Sequence, residues 1–211
     1  FKVVQEYQKN RLSYLEGDAD NFADVGLTNL NSAGNPTFVD SWFTDWAIAS
    51  YLGMVHYSYE GKYVADLTYR KEGSSRFAPD NRWGDFWAIG GAWNINREDF
   101  MANTETWLNM LKLRASYGVT GNANIGLNQY QALLNYDSSY AGEGASYPGT
   151  FGNDDLSWET SNTLDIGLDF GFMENKITGS VGYYNRETQD MLLDVPLSLT
   201  TGFTEQTRNI G

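Results

Sequence analysis

Asp165 and Asp169 are the carboxylates whose spacing first invites a chemical reading, as an acid and a base flanking a glycosidic bond. Their surroundings alternate strictly. Thr163, Asp165, Gly167 and Asp169 stand against Leu164, Ile166, Leu168 and Phe170, so both carboxylates share one face of a strand. Four residues along a strand separate them by about 13 Å, beyond the roughly 5–9.5 Å that glycosidase pairs use. His56 is the only histidine and has no evident serine partner. That rules out multi-histidine zinc sites and leaves no basis for a nucleophile–base triad. Cysteine is absent, which excludes thiolate ligands, thiol nucleophiles and disulfides.

Three other segments invite a chemical reading. Gly73-Ser74-Ser75-Arg76-Phe77 has the small residues of a phosphate cradle but lacks the lysine and the following helix of a P-loop. Its Gly and Ser instead shape a tight loop, with Arg76 and Arg82 expected to pair with nearby carboxylates. Asp18-Ala19-Asp20-Asn21 and Asn153-Asp154-Asp155 carry oxygen ligands. Both lack the central Gly and closing Glu of a calcium loop, so they read as solvated acidic loops. Trp42, Phe43 and Trp46 are open to two readings: stacking on a ligand or partner, or folding their own segment. The candidate substrate-contacting residues are therefore Trp42, Trp46, Arg70, Arg76 and Arg82. No catalytic residue, metal site or cofactor site is assigned.

The elements that carry these residues are strands. Period-two alternation recurs six times, at 51–59, 63–71, about 85–95, 111–120, about 158–172 and about 176–188. In Leu111-Lys112-Leu113-Arg114-Ala115-Ser116-Tyr117-Gly118-Val119-Thr120 every odd position is apolar or aromatic and every even one polar or Gly. The strands run to nine or more residues, the length that crosses a bilayer at a tilt, against about five or six for a common soluble strand. Charged residues such as Asp66, Arg70, Lys112, Arg114, Asp165 and Asp169 sit well inside the polar faces, which suits a wet lumen. Tyr51, Tyr59, Tyr63, Tyr69 and Trp93 fall near strand ends on the apolar face, where an interfacial aromatic girdle belongs.

Connection lengths sort in the same way. Long polar segments at 1–50, 73–84, 121–157 and 190–208 alternate with short ones at 60–62, 96–110 and 173–175. All the long ones therefore fall at one end of the strands, as in outer-membrane barrels. Within 96–110, Asn96 is a candidate cap for a short helix, with a plain loop as the alternative. No run of about 18 apolar residues exists, so a transmembrane helix is excluded. The net charge of −13 argues against nucleic-acid binding. The chain begins at Phe1 without an export signal and reads as a fragment. Six strands in an open sheet leave two unpaired edges, so the rest of the wall is expected from further sequence.

Residues 68–93 carry a more specific pattern, in Arg70, Gly73, Ser74, Ser75, Arg76 and Phe77, then Asn81, Arg82, Trp83, Gly84 and Phe86, then Trp93. This resembles the strand–loop–strand signature of the SusC/RagA family of TonB-linked outer-membrane proteins of Bacteroidetes. Glu72 stands where the family usually has Asp, and Trp87 and Gly91-Ala92 where Pro and Leu-Gly are more usual. Leu111–Gly118 with Thr120-Gly121-Asn122, Leu156–Thr160, Asp165–Asp169, Thr201-Gly202-Phe203 and Asn209-Ile210-Gly211 extend the resemblance over about residues 50–211.

The resemblance implies an all-β, antiparallel transmembrane barrel of roughly 22 strands, of which this chain supplies about six with long extracellular loops. Residues 1–50 would form a long extracellular loop region and 51–211 the wall strands and their loops, with the plug domain absent. It further implies a Gram-negative cell outer membrane location, a SusD-like lipoprotein lid, energy through TonB, and oligosaccharide or peptide cargo. It gives the segment no enzymatic role. The rival reading is a surface or secreted β-rich glycan-binding protein without a transport role.

Overall fold

The computed structural model describes every residue except Glu105, and every side chain of the described residues except that of Asp137. Strands dominate: β1 (Lys2–Phe22), β2 (Ala33–Tyr59), β3 (Tyr63–Ser74), β4 (Trp83–Asn94), β5 (Leu108–Asn122), β6 (Leu134–Tyr140), β7 (Glu143–Pro148), β8 (Glu159–Phe172), β9 (Ile177–Gln189), β10 (Met191–Pro196) and β11 (Glu205–Ile210). The main sheet has seven strands in the order β1-β2-β3-β4-β5-β8-β9, and β6-β7 and β10-β11 form separate two-stranded ribbons. Among the described residues, no helix is long and apolar enough to cross a membrane. Two compact units are distinguished: Gln8–Ala47, and Phe1–Tyr7 together with Ile48–Gly211.

The six alternating segments are β2, β3, β4, β5, β8 and β9. Their antiparallel registers place most of the large apolar residues on one side. Leu67 faces Ile89, Ile89 faces Tyr117, Tyr117 faces Leu164, and Leu168 faces Val181. That surface is left bare. Leu67, Ile89, Leu113, Ile166, Val181 and Tyr183 are all exposed. A face this apolar and this unprotected fits a lipid solvent and not water.

Aromatic rings mark its two borders. Tyr63 stacks on Trp93 at a centroid distance of 6.4 Å, and Tyr51 on Trp83 at 6.3 Å. Trp83 and Trp93 open and nearly close β4, ten residues apart. That separation is about 33 Å along the strand, or about 25 Å of height at a tilt near 40°, the thickness of a barrel's apolar band. Tyr59, expected in the girdle, pairs directly with Tyr63 at the β2–β3 turn. That turn closes through Glu60 and Gly61, both left-handed, and the Lys62 amide donates to the Tyr59 carbonyl at 2.9 Å.

Residues 1–50, read from sequence as loop, contain β1 and the first part of β2. The alternation that reveals a strand requires one wet and one dry face. Gln8–Asn21 carries polar residues on both faces, Gln8, Asn10 and Glu16 on one and Lys9, Arg11 and Ser13 on the other, so no such contrast is written there. Within the Gln8–Ala47 unit, Tyr14 stacks on Trp42 at 5.1 Å and the Arg11 guanidinium lies 4.5 Å from the Phe43 ring centroid.

The 96–110 connection holds two 3₁₀ turns, Ile95–Arg97 and Asp99–Thr104. Asn96 caps neither. Its amide donates to the Asn109 carbonyl at 3.0 Å and so ties the turn to the start of β5. A second departure is that the long 121–157 and 190–208 connections are themselves partly strand, as the β6-β7 and β10-β11 ribbons.

Candidate functional site

Opposite the apolar face, the same strands carry a polar face lined with ion pairs. His56 Nδ1 lies 2.6 Å from Asp66, its direct register partner. Arg70 reaches Glu72 at 2.6 Å, Glu6 at 3.6 Å and the Ser50 hydroxyl at 3.3 Å. Arg114 lies between the two carboxylates with which the sequence reading began, 2.8 Å from Asp165 and 3.4 Å from Asp169. Its register partner is Gly167, and a Cβ there would sit 2.5 Å from the guanidinium carbon. The glycine thus gives the guanidinium room to lie flat on the sheet. A single guanidinium lies between the two carboxylates and pairs with each of them, so the arrangement is an ion-pair bridge along the polar face.

At the end with short connections, Glu98 is held from three directions. The Tyr63 hydroxyl donates at 2.5 Å, the Trp93 indole N–H at 2.9 Å, and Lys62 Nζ lies 3.5 Å away. These interactions, the Tyr63 and Trp93 hydrogen bonds foremost, hold the Glu98 carboxyl below its ordinary value. For Lys62, desolvation works against the charged form. The hydrogen bonds and charges of Asp99 and Glu98 outweigh it and push the ammonium up.

The end with long connections carries a dry cluster. Phe77, Phe86, Ile125, Leu156 and Trp158 are buried together, and Ala123 and Leu192 pack against them. Phe86 meets Trp158 edge to face at 5.2 Å, and Phe77 meets it at 5.3 Å. The 73–84 motif is the frame of this cluster. The Ser74 amide donates to the Arg82 carbonyl at 3.1 Å, the Ser74 hydroxyl accepts from the Arg76 amide at 3.3 Å, and Asn81 donates to the Asp154 carbonyl at 2.9 Å. The Trp158 indole donates to the Arg82 carbonyl at 3.0 Å. Gly73 gives room for the Trp83 ring, and Gly84 and Gly121 for that of Phe86.

The five candidate substrate-contacting residues are divided between the two units, with Arg70, Arg76 and Arg82 in the larger one. Trp42 and Trp46 belong to the Gln8–Ala47 unit, where Trp42 spends one ring face on Tyr14. Arg70 sits on the polar face among carboxylates. Arg76 donates to the Ile125 carbonyl, and Arg82 to the Phe77 carbonyl at 3.4 Å. These carbonyl contacts stand beside the carboxylate pairing expected from the sequence. A loop released from strand pairing offers bare carbonyls, and a guanidinium with five donors answers several of them.

Sequence reasoning missed a cleft of about 190 Å³ beside the β10-β11 ribbon, lined by Gln129, Thr150, Phe151, Asp194, Phe203 and Glu205 among others. The ribbon is latched to the loop before β8. Asn209 accepts from the Ser157 amide at 2.9 Å and donates to the Ser157 and Asp190 carbonyls at 3.0 and 2.8 Å. Gln206 donates to the Gly152 carbonyl at 2.9 Å, and Asn153 to that of Thr207 at 3.0 Å. The sequence reading placed Asn209-Ile210-Gly211 only as part of the family resemblance and made no reading of a latch.

Comparison with known proteins matches this arrangement to one family. The family model described as TonB dependent receptor-like, beta-barrel, covers residues 5–211. The TonB-dependent receptor SusC of Bacteroides thetaiotaomicron is 40% identical over 176 residues, 78% of this chain and 17% of that protein. The TonB-dependent receptor P26 of Formosa agariphila is 36% identical over 97% of this chain and 21% of its own length. Among solved structures, the RagAB peptide transporter matches with a TM-score of 0.89 at 30% identity, over 99% of this chain and 23% of that one. The same importer in its closed-closed and open-open states gives 0.90 and 0.87. This chain spans about a fifth of the length of the curated relatives it matches. Its two-faced antiparallel wall, its aromatic borders and the match over nearly its whole length show that it belongs to the TonB-dependent receptor β-barrel family, on the SusC/RagA side.

Proposed function

We propose that this chain forms wall strands and outer loops of an outer-membrane importer that takes up oligosaccharides or peptides. A SusD-like surface lipoprotein acts with it as a lid, and TonB supplies energy through a plug segment outside this chain. The observation that carries the reading is the division of one sheet into an apolar outer face about 25 Å tall and a charged inner face carrying Arg70, Arg114 and Asp165. That division serves a wall between lipid and an aqueous passage. The matched structures, those of a peptide importer, support the peptide class, and the family resemblance read from residues 68–93 supports the oligosaccharide alternative. In this reading residues 1–50 lie outside the membrane. Trp42, Trp46, Arg70, Arg76 and Arg82 remain the residues to test for cargo contact.

The test uses the full-length protein in its native outer membrane. Because this chain has no cysteine, single cysteines at Leu67, Ile89 and Asp66 report their surroundings by labelling. Leu67→Cys and Ile89→Cys should resist a water-soluble maleimide, while Asp66→Cys should react. Deletion of the gene should abolish growth on one oligosaccharide or peptide source, and removal of the adjacent lipoprotein should weaken uptake. Undiminished uptake of all such sources in the deletion strain would refute the importer reading and favour a glycan-binding surface protein.

A further inference from the structure

We propose that the cleft beside β10-β11 binds the cationic end of a basic side chain, lysine or arginine, so that the importer proposed above favours peptides bearing such a residue. This inference rests on that reading of the protein as an importer and names one subsite within it.

Size comes first. At about 190 Å³ the cleft is smaller than the roughly 300–1,000 Å³ of sites that enclose a drug-sized ligand. It accepts one side chain or one ring, not an oligomer. The apolar part of its lining is aromatic. Phe151 and Phe203 lie 5.0 Å apart with their planes tilted by 57°, so no broad flat platform is offered for a sugar ring. Aromatic faces do attract cations.

Charge decides between cargoes. Asp194 and Glu205 line the cleft, and no lysine or arginine does. In the β10-β11 register Asp194 pairs with Thr207 and Pro196 with Glu205. Positions two apart on a strand share a face, so both carboxylates fall on one face of the ribbon. Asp194 Oδ1 accepts from the Thr207 hydroxyl at 2.6 Å, which orients the carboxylate and leaves its second oxygen open. Glu205 has no hydrogen-bond or ion-pair partner among the described residues. Two carboxylates, one oriented and one free, beside two phenyl rings form the usual chemistry of an ammonium or guanidinium site. A sugar hydroxyl can hydrogen-bond to either of these exposed carboxylates, but only a cation gains ion pairing with both.

The test is equilibrium binding to the purified full-length protein in detergent. The probes are a lysine-containing tetrapeptide, the same peptide with acetyl-lysine, and a neutral maltotetraose. The lysyl peptide should bind about tenfold or more tighter than its acetylated form. Asp194→Asn with Glu205→Gln should erase that difference while leaving acetyl-lysyl binding unchanged. Phe203→Leu, which keeps the ribbon's bulk, should weaken the lysyl peptide alone. Equal affinity for lysyl and acetyl-lysyl peptides, or a lysyl preference that survives the double substitution, would overturn the proposal. So would maltotetraose competing for the site. Because binding is read without transport, a failed subsite leaves growth and uptake intact, whereas a failed importer reading shows in uptake with binding unaffected.

Discussion

Replacing Gly121 by alanine tests whether the dry loop cluster depends on glycine making room for a ring. The backbone at Gly121 is ordinary, without a left-handed φ, so alanine carries no conformational strain there. A Cβ would nevertheless stand 2.0 Å from Phe86 Cζ and 2.3 Å from Cε1. Phe86 cannot swing aside freely, because its ring is buried between Gly84, Gly121 and Trp158. Forcing a methyl into a packed site costs about 1–3 kcal/mol, and losing the edge-to-face contact adds about 0.5–1.5 kcal/mol. The expected cost is therefore about 2–4 kcal/mol, a roughly 30- to 1,000-fold rise in the open population. A large barrel does not unfold in two states, so the assay must be local. Trypsin cleavage after Arg76 and Arg82 in the folded full-length protein reads opening of this loop. Phe86→Leu in the Gly121→Ala background should recover much of the loss, a coupling that adjacent sites show. Gly144→Ala, where a Cβ meets nothing within 4 Å, should leave cleavage unchanged. Unchanged cleavage in Gly121→Ala, or loss without any rescue by Phe86→Leu, would refute the argument.

Other expectations follow from the same geometry. Glu98 is held below its ordinary 4.5, so its contribution is complete above that value and is lost as pH falls through the lower folded value. Hydrogen exchange of the 95–104 turn should accelerate in that acid range, and Glu98→Gln should flatten the dependence. Leu67→Arg places a cation near the middle of the apolar band, at a cost of about 2–4 kcal/mol; outer-membrane assembly, read by heat-modifiable gel mobility, should fall. Asp66→Arg on the opposite face should assemble normally. Asn209→Ala removes three hydrogen bonds and should loosen the β10-β11 latch by about 1–3 kcal/mol, read as faster proteolysis of 190–208. Arg114→Met should cost at most about 1 kcal/mol, because its pairs are half exposed, and the loss should shrink in high salt.

The wall was legible because a bilayer and a wet passage impose opposite demands on alternate side chains, and every strand from β2 to β9 in the main sheet writes that contrast. The connection lengths were legible for a related reason: one end of the strands must turn tightly, and the other need not. β1 was not, because polar and charged residues fall on both faces of Lys2–Phe22, Glu6, Gln8 and Asn10 on one and Gln5, Lys9 and Arg11 on the other. The Arg114 bridge was half visible. Arg114, Asp165 and Asp169 were placed on one face, but which of them meet depends on a register that alternation alone does not fix. The cleft at Asp194 and Glu205 left no trace, since its walls come from residues near 129, 150, 194 and 205 that no local period connects. Arg76 and Arg82 show the limit of charge reading. One donor of each goes to a carbonyl, of Ile125 and of Phe77, and a carbonyl's availability is a property of the folded loop.

Nearly all the tightly buried apolar residues, Phe77, Phe86, Ile125, Leu156 and Trp158 among them, lie in the loops and strand ends, and among the described residues the middle of the wall has no dry cluster of its own. One chain is therefore held by two thermodynamic regimes. The loop cluster excludes water and should carry the large positive heat capacity of unfolding that apolar hydration brings. The wall exchanges lipid for protein with little change in hydration, so its response to temperature follows the state of the bilayer. Cooling or changing detergent should loosen these two parts in different orders, and calorimetry of the assembled protein should resolve them as separate transitions.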